Sequence, residues 1–176
     1  MQAAREITGV LVDHQIRALA LTGMIDPFDP LLLNPTSLDI RIGSSALFES
    51  GEGQKEIKLW QYSKSLPFNL LPGECILVGS MEVFNIPENI AAEFKLKSSR
   101  AREWYQHMLA GWIDPGFSNS VATLEIKNAH QYKPLPIYPG LRIGQVIFYG
   151  LAQPPSLSYK QVGRYNHDLV ATASKG

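Results

Sequence analysis

Two carboxylates stand nearly alone in the second half of the chain. Between Glu103 and Asp168 the only acidic residues are Asp114 and Glu125, both in the stretch GWIDPGFSNSVATLEIKN (111–128), while the same interval carries five Lys or Arg and three His. Isolated acids in basic surroundings are either ordinary surface charges or groups placed for chemistry such as proton transfer. In VATLEIK (121–127) Ala122, Leu124 and Ile126 point one way and Val121, Thr123, Glu125 and Lys127 the other. Glu125 therefore reads as a solvated strand residue or as a general acid/base held on a rigid strand. Asp114 precedes Pro115-Gly116, a tight-turn signal. Its carboxylate either caps the turn amides or positions a water or sugar hydroxyl.

KSSRAR (97–102) has another character. Lys97, Arg100 and Arg102 with Ser98 and Ser99 at a helix start offer cations and hydroxyls suited to phosphate oxygens, or else form a basic solvent-facing turn. The glycines of a P-loop are missing. Gly144 inside RIGQVIFYG (142–150) signals a bulge or a close backbone approach. Gln145 next to it points at a ligand or caps a neighbouring strand. In the tail, Tyr159, Arg164 and Tyr165 are surface residues or a clamp over a ligand.

These groups need elements to position them. The 176 residues fit one domain with a core, at 45% apolar and 18% charged content. A net charge of zero excludes bulk attraction to nucleic acid or membrane, and no apolar run reaches the roughly 18 residues of a membrane helix. The single Cys75 rules out an internal disulfide and the paired-cysteine zinc deaminase signature, and the four His lack ligand spacing. Without an export signal at the N-terminus, a cytoplasmic location is expected.

Residues 11–22 read as a helix capped by Asp13 and ended by Gly23. Strands are expected at 38–43, 55–61, 74–80, 91–97, 121–127 and 142–150, with turns at Pro72-Gly73 and Pro139-Gly140. SSRAREWYQ (98–106) suggests a second short helix, with Ser98 or Ser99 as its cap. The pattern predicts a mainly β, closed or sandwich-like fold with little helix. Residues 154–176 form a polar tail, either disordered or ordering as a lid.

In this order SLDIRIG (37–43), LPGECILVGSMEVFNIP (71–87), KSSRAR (97–102), AGWIDPGF (110–117), TLEIKN (123–128), YPGLRIGQVIF (138–148) and GRYN (163–166) resemble the dCTP deaminase family of the dUTPase-like superfamily. The resemblance implies a distorted jelly-roll, or β-clip, subunit with a short N-terminal helix and few others. It implies a homotrimer with active sites at subunit interfaces, and zinc-independent deamination of dCTP to dUTP and ammonia, with dUTP or dTTP as product or inhibitor. Glu125 takes the acid/base role. Ala110, with its neighbours Gly111, Trp112 and Ile113, holds the water and base. Ser98, Ser99 and Arg102, with Lys97 in the position usually held by arginine, meet the triphosphate. Asp114 meets the deoxyribose and activates water for phosphate attack in bifunctional relatives. Gln145, Tyr159 and Arg164 match positions near the phosphates, and Mg²⁺ is carried by them.

Four departures mark this chain. Lys97 loses the guanidinium fork. Gly111-Trp112 replaces the His-Arg of many enzymes that stop at dUTP and agrees with bifunctional members, whereas Leu109 stands where those carry threonine. The Asp114–Glu125 spacing is one residue longer than usual, and one slipped residue would turn Glu125 to the wrong face, so a bulge is expected at 118–120. Deamination to dUTP is the first expectation. Its rivals are a bifunctional enzyme forming dUMP and pyrophosphate, a plain dUTPase, a non-catalytic nucleotide sensor and a structural jelly roll.

Overall fold

A computed structural model describes residues 8–176, so the reading of the extreme N-terminus lies partly outside the described residues. The helix expected over 11–22 begins two residues later as α1 (Asp13–Leu19) and continues as a wider turn, Ala20–Met24, whose helical backbone is broken at Gly23 (φ +96°). Its cap is Val12 rather than Asp13: the Val12 N–H donates to Gln15 Oε1 (3.0 Å), while Asp13 begins the helix and its carboxylate accepts from the His14 N–H. Ile16 and Ala20 bury the inner face.

The strands follow as β1 (Ser37–Ser50), β2 (Gly53–Lys58), β3 (Phe68–Leu70), β4 (Cys75–Asn85), β5 (Ile90–Leu96), β6 (Tyr105–His107), β7 (Trp112–Ile113), β8 (Ser118–Asn128), β9 (Leu135–Ile137) and β10 (Arg142–Gly150). One curled antiparallel sheet runs β7-β5-β10-β1-β4-β8-β6, with β2 on β1, and β3 pairs β9 apart from it. The fold is mainly β. The second Pro-Gly turn delivers β10 and the first delivers β4, with Gly140 and Gly73 both at positive φ. The strand expected over 55–61 stops at Lys58. Leu59 is fully buried there, and the chain turns in a short 3₁₀ helix, Leu59–Gln61.

The core gathers Ile40, Ile42, Val78, Phe84, Phe94, Leu124, Ile126, Val146 and Phe148 from opposing strands. β1 and β4 slip register between Ile42 and Ala46, and the same stretch is tied by a buried ion pair. Arg41 Nε donates to Glu82 Oε1 (2.7 Å) and the Arg41 N–H to Oε2 (3.0 Å). Burial pushes the Glu82 carboxyl up, against the opposing pull of Arg41.

Two helices complete the chain: α2 (Ser98–Arg102) after β5, and α3 (Tyr159–Val162) in the tail. The cap of α2 is Lys97, not Ser98 or Ser99, and no side chain bonds the helix start. The tail is ordered against β8, and the reason is local. In β8 Ser118 faces Asn85 and Ser120 faces Phe84, so Asn119 (φ +47°) is an extra residue, a bulge at the expected 118–120. A bulge frees backbone groups from the ladder. The tail takes them up: Ser118 N–H donates to Asn166 Oδ1 (2.8 Å), Val121 N–H to the Asp168 carbonyl (2.8 Å), and His167 N–H to the Ser118 carbonyl (3.2 Å).

Candidate active site

Where the tail crosses β8 it roofs a cavity of about 570 Å³. Ala110, Gly111, Trp112, Ile113, Asp114, Glu125 and Tyr159 all line it, together with Phe94, Phe117, Thr123, Tyr165, Asp168 and Thr172. Glu125 and Asp114 are therefore in one cavity, brought there by the bulge at Asn119 that keeps β8 in phase. Ala122, Leu124 and Ile126 are buried, as the alternation predicts, and Glu125 leaves the opposite face with its side chain 26% exposed.

The loop after β6 is bent to present Ala110. Leu109 adopts a left-handed conformation (φ +63°), costly for a bulky residue, and projects its side chain almost wholly into solvent (94%). Gly111 then passes against β5 so closely that a Cβ would lie 2.3 Å from the Phe94 carbonyl oxygen. The two strands are joined there by Phe94 N–H donating to the Gly111 carbonyl at 2.7 Å.

Asp114 closes the next turn with its backbone carbonyl, which accepts from Phe117 N–H (3.2 Å). Its carboxylate does not cap the turn. Oδ1 accepts instead from the Trp112 indole N–H at 2.9 Å, and the indole rests near the Tyr149 ring. Gly116 (φ +89°) allows the tail to dock, since a Cβ would meet Lys160 N at 2.8 Å, and Tyr159 N–H donates to the Pro115 carbonyl.

Six expected site residues lie elsewhere. Ser98, Ser99 and Arg102 sit exposed on α2 and do not line the cavity. Lys97 Nζ donates to Asp39 Oδ1 (2.6 Å), a buried carboxylate that also accepts from Asn34, so its charge is already matched. Gln145 is a strand cap, with Oε1 accepting from Ser37 Oγ at 2.8 Å. Its neighbour Gly144 is both a register shift and a close approach, where a Cβ would lie 2.1 Å from the Phe94 ring. Arg164 is exposed, and Tyr165 lines the cavity in its place. The lining thus holds three carboxylates (Asp114, Glu125, Asp168) and no lysine or arginine. Asp168 is paired with Lys175.

His107 is the residue that sequence reasoning passed over. It ends β6 opposite Ile126, and its Nε2 lies 3.2 Å from Glu125 Oε2. The signal was its place among the three histidines of the acid-poor interval, but nothing in its spacing linked it to Glu125. Among the described residues no group of three or more His, Cys, Asp or Glu side chains is gathered as metal ligands, and no helix is long and apolar enough to cross a membrane.

Residues 10–151 match the family model described as dCTP deaminase-like. The chain is 38% identical, over 94% of its length and 96% of the relative's, to a protein of Methanoregula boonei named dCTP deaminase, dUMP-forming. A Clavibacter michiganensis protein of the same name is 36% identical over 94% of this chain and 90% of that one. The fold is similar to that of a 2'-deoxycytidine 5'-triphosphate deaminase from Agrobacterium tumefaciens, with a TM-score of 0.69 and 24% identity over 82% of this chain. The chain spans about half (49%) of that longer one.

Proposed function

Since the chain belongs to the dCTP deaminase-like family, we propose that it deaminates dCTP and carries the product on to dUMP and pyrophosphate. The observation that carries the first step is Glu125, fixed on a strand with its carboxylate opening into the cavity beside Ala110. Glu125 accepts a proton from water as the water oxygen bonds C4 of cytosine, and passes that proton to N3. The remaining proton of that oxygen then moves through Glu125 to the amine. The C4–N bond breaks, C4=O forms and ammonia leaves. The Gly111 carbonyl is taken by Phe94, so the carbonyl of Ala110 is the one this step uses to hold water and base.

The second step rests on Trp112 and Asp114. Sequence alone ranked dUTP as the end product. The naming of the relatives as dUMP-forming and the indole bond that orients the Asp114 carboxylate favour dUMP. Asp114 then activates a water for attack on the α-phosphorus, with pyrophosphate as the leaving group.

A cavity without lysine or arginine cannot by itself balance a triphosphate of about four negative charges. The cations that can do so lie outside it, so a second copy of the chain supplies Ser98, Ser99 and Arg102, in keeping with a trimer whose sites are shared. Mg²⁺ carried by the phosphate oxygens would neutralise part of that charge.

Product analysis with dCTP, dUTP and dCMP tests the scheme. Wild type is expected to release ammonia and pyrophosphate from dCTP. Glu125→Gln is expected to lose ammonia release by about 10²- to 10⁴-fold while still cleaving dUTP. Undiminished ammonia release by Glu125→Gln would sink the assignment. Mixing inactive Glu125→Gln and Arg102→Ala subunits restores deamination if the site is shared, and leaves it absent if it is not.

A further inference from the structure

Two buried polar atoms behind the cavity lining face each other without a hydrogen-bond partner, Glu125 Oε2 and His107 Nε2; Glu125 lines the cavity and His107 backs it. They are 3.2 Å apart, close enough to count as an ion pair by distance, yet the angles do not make a hydrogen bond. The distance describes the pair better than the missing angle does, because small rotations of ring and carboxylate would align it without moving either strand. His107 is enclosed, with its side chain 4% exposed and its ring edge-on to Phe94 at 4.8 Å. Backbone pairing holds both partners: His107 lies opposite Ile126, and Met108 N–H donates to the Glu125 carbonyl.

An unprotonated ring nitrogen facing a carboxylate oxygen in a buried wall would set two lone pairs against each other. A proton between them removes that conflict. Resting on the proposed role of Glu125, we propose that His107 is the positioning residue of the general acid/base: its Nε2–H engages one carboxylate oxygen, fixes the rotamer and leaves the other oxygen to exchange protons with water. Oε2 is buried, so the exposure of the side chain belongs to the rest of it, on the cavity side.

The other titratable groups on the packed elements leave the pair to itself. Glu93 and Lys95 on β5 are paired with each other, Tyr105 on β6 donates to the Pro136 carbonyl, and burial pushes its hydroxyl up. On β8 the next charged residue along the strand is Lys127, Asp114 in the same cavity accepts from the Trp112 indole, and in the tail Asp168 is held by Lys175.

The test is the pH–rate profile of ammonia release from dCTP for wild type, His107→Gln, which keeps a donor, and His107→Phe, which keeps the ring packing. Binding of dCTP is measured alongside by calorimetry. A carboxylate that loses a hydrogen bond to its charged form takes up protons more readily. The Phe variant should therefore show its acid limb at higher pH and turnover down about 10- to 100-fold, with dCTP affinity held within about threefold. The Gln variant should keep the wild-type limb. An unchanged profile in the Phe variant, or a Gln variant as impaired as Phe, overturns the proposal. Should the Phe variant not fold, the ¹⁵N shifts of the wild-type His107 ring decide: a protonated Nε2 supports the proposal and a bare Nε2 refutes it. Glu125→Gln separates the failures. Activity retained there removes the acid/base role itself, whereas an inactive Glu125→Gln beside an unaffected His107→Phe removes only the role of His107.

Discussion

Replacing Gly111 by alanine tests the packing that delivers Ala110 to the cavity. The new methyl carbon would stand 2.3 Å from the Phe94 carbonyl oxygen and 3.2 Å from its carbon, whereas ordinary contact begins at 3.4 Å. The obstacle is the backbone of β5, held between β7 and β10, so it cannot swing aside as a side chain would. The two strands must part by about 1 Å, which stretches the 2.7 Å Phe94–Gly111 hydrogen bond beyond useful range. Overpacking costs about 1–3 kcal/mol and the lost bond about 1 kcal/mol, together about 2–4 kcal/mol. For a chain of this size that lowers Tm by about 4–16 °C. The same displacement moves Ala110 relative to Glu125, and a misplacement of about 1 Å can cost about 10²-fold in turnover. Thermal unfolding at fixed protein concentration and ammonia release from dCTP measure the two consequences. A variant with wild-type Tm refutes the packing estimate. One with a lowered Tm but wild-type turnover refutes the claim that this contact sets the position of Ala110.

Two further outcomes are expected. Trp112→Phe keeps a ring against Tyr149 but removes the indole N–H from Asp114, so pyrophosphate release from dUTP should fall about 10- to 100-fold while ammonia release from dCTP stays within about threefold; equal loss of both would show that Trp112 serves the whole cavity. Glu82→Gln leaves the largely buried Arg41 only the more distant Asp29 carboxylate (3.8 Å), at a cost of about 3–5 kcal/mol, and calorimetry or dye-binding melts should register a Tm loss of about 6–20 °C; a loss under about 2 °C would mean that the desolvation of Glu82 offsets the pair.

Much of this molecule is local and therefore legible in the chain. Period-two alternation in VATLEIK places Glu125 opposite Leu124 and Ile126, and the bulge at Asn119 follows from the family resemblance, whose usual Asp–Glu spacing is one residue shorter, because one uncompensated residue would reverse every side chain of β8. The Pro-Gly turns and the isolation of the two acids are equally local. Contacts between distant segments were not legible, since no periodicity encodes which strand lies beside which. Lys97 reads as a phosphate ligand from its neighbours in sequence, while its pairing with Asp39, far back in the chain, is visible only in the fold. Gln145 suits a ligand or a neighbouring strand by sequence, and only the fold brings Ser37 to its Oε1. The tail became a roof because distant groups meet it, among them the Ser118 and Val121 amides beside the bulge, the Pro115 carbonyl and the Ser45 hydroxyl. His107 met Glu125 only through the pairing of β6 with β8. Sequence determined that Glu125 leaves β8 opposite its core residues, since that depends on neighbours along one strand, and tertiary structure decided what meets it in the cavity, the third carboxylate Asp168 included, since that depends on how distant segments pack.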